Sequence, residues 1–206
     1  MDCWKSIGIA GSSRGSGATH LSVALANYAA SGLGEKTAYL ELNGHKQIGH
    51  WKNAGEDGYF QDLRVHYYPN LKKEEIPIIL NRDYDRVIMD FGDAYASFRE
   101  DLLRCGRKVF LLNLSRWQKF EAEKMINSVQ RKDWGGIQPV YASVNAQKEI
   151  KREIERKYGT QIESIPLLPD PGRIHSNDFA CMELILGYPA AKVKRKKSLI
   201  PFRRKK

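Results

Sequence analysis

Glycines at 11, 15 and 17 fall within IGIAGSSRGSGATH, the stretch from Ile7 to His20. An apolar run enters this turn, and an Ala/Leu-rich segment opening at Thr19 leaves it. Glycines at such a junction let backbone N–H groups converge on an anion, and a helix start adds the positive end of its dipole. The chemistry on offer is phosphate binding. Charge is what the loop lacks. The residue after the last glycine, where a lysine commonly neutralises phosphate oxygens, is Ala18, and the only cation within the loop is Arg14.

The rest of the chain reads as alternating strands and helices. Lys5–Ala10 is a strand and Thr19–Ser31 a helix stopped by Gly32 and Gly34. Thr37–Leu42 is a second strand, followed by an irregular connection over Gly44–Gly58. Strand patterns recur at Leu63–Tyr68, Arg86–Asp90, Lys108–Leu114 and Val140–Val144, and Ile162–Pro166 leads into the loop LLPDPGR. Helical patterns recur at Tyr95–Cys105, Lys119–Arg131, Lys148–Tyr158 and Ser176–Leu186. Lys72–Asn81 is a weaker helix because it contains Pro77. This alternation predicts an α/β fold: a doubly wound, mostly parallel sheet with helices on both faces. Ligands of such sheets sit at the carboxyl ends of the strands. The 11–20 loop, Glu41, Asn43, Asp90 and Asn145 all fall there.

Set against the P-loop pattern GxxxxGK[ST], Gly17 is the second glycine, Ser12 stands at the first, Ala18 at the lysine and Thr19 at the magnesium ligand. A glycine-rich turn that binds nothing is the plainer alternative. With these residues the chain resembles the MinD/ParA-like P-loop ATPases, including the TadZ/CpaE-like members. Aligned with their KGGxGKT[ST], it reads Ser13, Arg14, Gly15, Ser16, Gly17, Ala18, Thr19, His20, so both lysines are absent and the loop is degenerate. TAYLELN offers Glu41 and Asn43 where the family has a D-x-D element, and YDRVIMD ends at Asp90. VYASVN ends at Asn145, and SIPLLPDP carries Pro169 and Asp170. The resemblance spans roughly residues 5–188. It implies an adenine nucleotide held by residues 11–20 with Asn145, Pro169 and Asp170, magnesium on Thr19 and Asp90, and hydrolytic roles for Glu41, Asn43 and Asp90. It also implies a switchable homodimer. Missing cations remove stabilisation of the transferring phosphoryl group, so weak or absent hydrolysis is expected. An active ATPase using Arg14 as its cation is the alternative within the family.

GSSRGSG also matches GxxxGxG, the phosphate loop of NADP-binding short-chain dehydrogenases. Those enzymes need a Tyr-x-x-x-Lys pair on a helix. The spacing at Tyr68 to Lys72 falls early and contains Pro69.

The dispersed histidines and the cysteines Cys3, Cys105 and Cys181 show no metal-ligand spacing, and Asp93 reads as a solvated turn residue. The net charge of +10 is concentrated in KVKRKKSLIPFRRKK. Nine of the 34 basic residues lie beyond Ala190 with no acidic one, so the rest of the chain is near neutral. The expected organisation is one domain over residues 1–189 and a polybasic tail over 190–206. That tail suits an anionic membrane surface or a protein assembly, and nucleic acid less well. No run of about 18 apolar residues is present, and the N-terminus lacks a signal-peptide layout. A cytoplasmic protein, peripheral to the inner face of a membrane, is the expectation.

Overall fold

The structure, a computed structural model, describes residues 4–188 apart from 53, 54, 56 and 145. Expectations resting on Cys3, Asn145 and residues 190–206 lie outside the described residues. The apolar run before the glycines forms β1 (Ser6–Gly11). The segment after them forms α1 (Ala18–Asn27), which continues into a π-helical turn over Tyr28–Gly32. There follow β2 (Thr37–Glu41), α2 (Gln47–Trp51), β3 (Phe60–Asp62), β4 (Val65–Tyr68), α3 (Ile76–Leu80) and β5 (Arg86–Gly92). The second half comprises α4 (Arg99–Arg104), β6 (Arg107–Leu111), α5 (Lys119–Gln130), β7 (Val140–Val144), α6 (Lys148–Tyr158), β8 (Ile162–Ile165) and α7 (Phe179–Leu186).

The strands form one eight-stranded sheet in the order β3-β4-β2-β5-β1-β6-β7-β8. Every neighbouring pair is parallel except β3 with β4. Both faces are covered, as the apolar strands demand. Leu21, Leu25, Met182 and Ile185 bring α1 and α7 onto one face. Ile79, Leu102, Met125, Ile126 and Ile154 bring α3, α4, α5 and α6 onto the other. Leu21 and Leu25 are buried, and truncating such a leucine to alanine costs about 2–5 kcal/mol. The doubly wound α/β architecture read from the sequence is the one observed.

Three local features depart from the sequence reading. The Gly44–Gly58 connection contains α2, whose Ile48 packs into the core. The strand expected over Leu63–Tyr68 is instead a hairpin of β3 and β4. Leu63 and Arg64 at its turn both have positive φ, 43° and 70°. Pro77 does not disrupt α3, because it occupies the first turn, where its missing N–H has no partner to lose.

Strand order matters for function. β1 is flanked by β5 and β6, so β5 separates it from β2. In the dinucleotide-binding order the first strand lies beside the second, and this sheet does not have that order. Tyr68 of the dehydrogenase-like spacing is buried, and its hydroxyl is engaged by Tyr84 and Arg82.

Candidate functional site

The carboxyl end of β1 opens into the glycine loop. Gly15 and Gly17 adopt φ of 79° and 91°, and Gly17 caps α1 in the left-handed region. A Cβ on Gly11 would overlap Ser16 Oγ, so the loop folds back only because that position is glycine. Ser12 fastens the loop to β6: its N–H donates to Leu111 O at 2.9 Å, and its Oγ accepts from Asn113 N at 3.0 Å. The amides of Ala18 and Thr19 lie in the first turn of α1, where a helix offers no acceptor of its own. The result is a cavity of about 210 Å³ lined by residues 13–20 together with His45, Gln47, Gly92 and Asp93. Arg14 is exposed at its edge, whereas the Ala18 methyl is buried in the core.

At the base of this cavity the ends of β2 and β5 bring three residues together. Asp90 Oδ2 accepts from Tyr39 Oη at 2.8 Å and from Asn43 Nδ2 at 2.7 Å, while Oδ1 accepts from Gly92 N at 3.0 Å. The Thr19 hydroxyl also hydrogen-bonds Asp90, and Asn43 Nδ2 lies 3.2 Å from Thr19 Oγ1. Asp90 is fully buried, and burial raises its pKa above the ordinary carboxylate value against the opposing pull of these hydrogen bonds. The same burial, with the Asp90 charge beside it, holds the Tyr39 phenol well above its usual range.

Glu41 is placed differently. Its Oε1 accepts from Ile48 N and its Oε2 from Asn70 N, each at 3.0 Å, and the side chain is fully buried. The carboxylate therefore clasps the start of α2 to the loop after β4 and has no oxygen directed at the glycine loop.

A second cavity, of about 330 Å³, adjoins the glycine loop. Gly17, Leu21, Leu112, Val144, Ile165 and Leu168 give it an apolar wall, with Asn113 as a polar neighbour. His20 Nε2 meets Leu168 O at 2.8 Å and ties the helix to the loop that closes this pocket. Asn145, expected here, lies outside the described residues. Pro169 is not among the lining residues, where Pro166, Leu167 and Leu168 stand instead. Asp170 faces a third cavity of about 630 Å³, which also holds Trp51, Ile48, Leu63 and Arg173. Asp170 Oδ1 there accepts from Gly172 N at 2.8 Å. Sequence reasoning missed the 166–168 wall, although its apolar Pro-Leu-Leu composition beside a strand end was a usable signal.

The residues present fit a magnesium nucleotide. The protein would supply the Thr19 hydroxyl, with Asp90 behind it, and phosphate oxygens would complete a hard oxygen set. Among the described residues there is no group of three or more His, Cys, Asp or Glu side chains able to hold a metal by themselves.

No protein-family model and no curated protein matches the chain. Solved structures do. A plasmid partition protein from Borrelia burgdorferi superposes with a TM-score of 0.62 at 14% identity, over 88% of this chain and 96% of that one. The MinD cell division protein of Aquifex aeolicus gives 0.61 at 15%, over 88% and 93%. The septum site-determining protein MinD from Pyrococcus horikoshii, complexed with Mg-ADP, gives 0.57 at 14%, over 90% and 87%. At such identities the likeness is one of fold, and the fold of this chain is that of the MinD/ParA group of P-loop ATPases.

Proposed function

We propose that the chain binds an adenine nucleotide with magnesium and hydrolyses it weakly or not at all, serving as a positioning, assembly or regulatory factor. The observation that carries this reading is the adjacency of two unlike cavities. An apolar pocket suited to a base abuts a glycine-loop cavity suited to phosphates, with Thr19, Asn43 and Asp90 at its base. Thr19, with Asp90 behind it, would hold the ion, whose charge would offset that of the phosphates. Backbone amides of the loop and the α1 terminus would hold the phosphates. Slow hydrolysis follows from the missing cations. Ala18 presents only a buried methyl, and losing one preorganised electrostatic partner commonly costs about 10²–10³ in rate. Arg14 is the cation at the cavity edge, which keeps an Arg14-assisted ATPase as the second reading. Glu41, with both oxygens engaged, acts here as scaffold rather than catalyst.

By analogy with the fold, the working state is a homodimer. The basic tail attaches it to an anionic membrane surface or an assembly on the cytoplasmic side. Among the described residues no helix is long and apolar enough to cross a membrane.

The test is a thermal-shift comparison of Mg-ATP, Mg-ADP and NADPH. At a ligand concentration about 100-fold above Kd, binding adds about 2.7 kcal/mol, a rise of about 5–10 °C for a domain of this size. The adenine nucleotides should produce it and NADPH should not. A shift with NADPH alone, or with none of the three, refutes the reading.

A further inference from the structure

We propose that His45, held by Asp93, is the general base that accepts a proton from the water attacking the terminal phosphate of a nucleotide in the glycine-loop cavity. The inference rests on the nucleotide reading and names the residues through which its weak hydrolysis runs.

His45 Nε2 lies 3.0 Å from Asp93 Oδ1, and both side chains are half-buried and line the cavity opposite the loop. The pair is built by the ends of two adjacent parallel strands. Asn43 Oδ1 accepts from His45 N at 2.8 Å, while its Nδ2 holds Asp90, so the His45 backbone is fixed to the cluster at the cavity base. On the other strand, Gly92 has φ of 50°, and a Cβ there would lie 2.6 Å from Asn43 Cβ. Only glycine lets the end of β5 close on Asn43 and carry Asp93 across to His45.

An imidazole that donates Nε2–H to a carboxylate keeps its lone pair on Nδ1, and that carboxylate stabilises the imidazolium formed when Nδ1 takes a proton. Nδ1 of His45 makes no hydrogen bond within the described residues. Other titratable groups in and behind the cavity are less suited. Both Glu41 oxygens are taken by amides, Asp90 is enclosed by donors, and His20 meets only a neutral carbonyl. In the step itself, the water oxygen bonds to the terminal phosphorus and its proton passes to His45 Nδ1. The bond from that phosphorus to the bridging oxygen breaks, its electron pair leaving on ADP, and the proton then returns to solvent or to the released phosphate.

The test compares the full chain with H45Q and D93N in three measurements: ADP affinity, affinity for ADP with aluminium fluoride, and ATP turnover. Aluminium fluoride mimics the phosphoryl group in transfer and reads transition-state positioning without turnover. H45Q should leave ADP affinity within about threefold and cut both turnover and the aluminium fluoride preference by about 10² or more, the usual weight of a general base. D93N, a positioning change, should lower both by about tenfold or more. An unchanged turnover or unchanged aluminium fluoride preference in H45Q overturns the proposal. So does a parent chain that binds ATP yet shows neither turnover nor that preference. A parent chain that binds no nucleotide overturns the nucleotide reading instead, and this one with it.

Discussion

Replacing Glu41 with glutamine should weaken the fold far more than the phosphate site. The carboxylate is fully buried, and each oxygen accepts one backbone N–H at 3.0 Å, from Ile48 and from Asn70. Hydrogen bonds to a charged acceptor contribute about 1.5–3 kcal/mol each, and a buried donor left unsatisfied costs about 1–3 kcal/mol. Glutamine keeps one acceptor, makes it neutral, and sets an NH₂ against the second N–H. Relief from burying a charge offsets part of that loss. The net should be about 2–3 kcal/mol of destabilisation, a Tm lower by about 4–12 °C for a domain of this size. Thermal and urea unfolding measure it, and hydrogen exchange locates it, because the Ile48 and Asn70 amides should lose protection before those of β1. Mg-ADP should still stabilise E41Q by the same increment as the parent. Unchanged melting together with lost nucleotide response would refute the reasoning and return Glu41 to the chemistry.

Asp90 gives a pH signature. Its folded pKa is raised by burial, so its contribution to stability is full below the unfolded value of about 4 and is lost as pH rises through the raised folded value. The Tm of the parent should therefore fall across that window relative to D90N, and parallel pH profiles of Tm would count against it. Burial pushes the Cys105 thiol up to about 12 and Cys181 up to about 11. At pH 8 the folded chain should alkylate at Cys105 about three orders of magnitude more slowly than the unfolded chain, since only the thiolate reacts. Peptide mass spectrometry reads this, and equal rates would refute it. The full chain should cosediment with anionic liposomes while a chain ending at Pro189 should not, and added salt should release it. Equal pelleting of both forms removes the membrane role of the tail.

Much of the architecture was legible because burial writes itself into composition. β5 is enclosed along its whole length, and its apolar run ending in Asp90 announced a central parallel strand with a carboxylate at the ligand end. α6 was equally plain, with charged residues on all but its Ile150 and Ile154 face. The hairpin of β3 and β4 was hidden because its turn places Leu63 and Arg64 at positive φ, a conformation that glycine or asparagine would have advertised. α2 was hidden by its length of five residues and its internal Gly49, and it is held by the Glu41 clasp rather than by helix propensity. The Glu41 clasp was hidden because a strand-end carboxylate carries no mark of which amides will surround it. The His45–Asp93 contact joins residues 48 apart, beyond any local pattern.

The glycine-loop cavity and the groove beside Trp51 share a wall, since Thr19, His20 and Gln47 line both. A ligand on one side that moves any of these three side chains would bear on the other. Thermodynamic linkage makes that influence mutual: whatever seats in the groove and alters nucleotide affinity by some factor must have its own affinity altered by the same factor when nucleotide binds. Under the proposed function, a nucleotide that is scarcely hydrolysed would then still be reported, as a change in what the groove will hold.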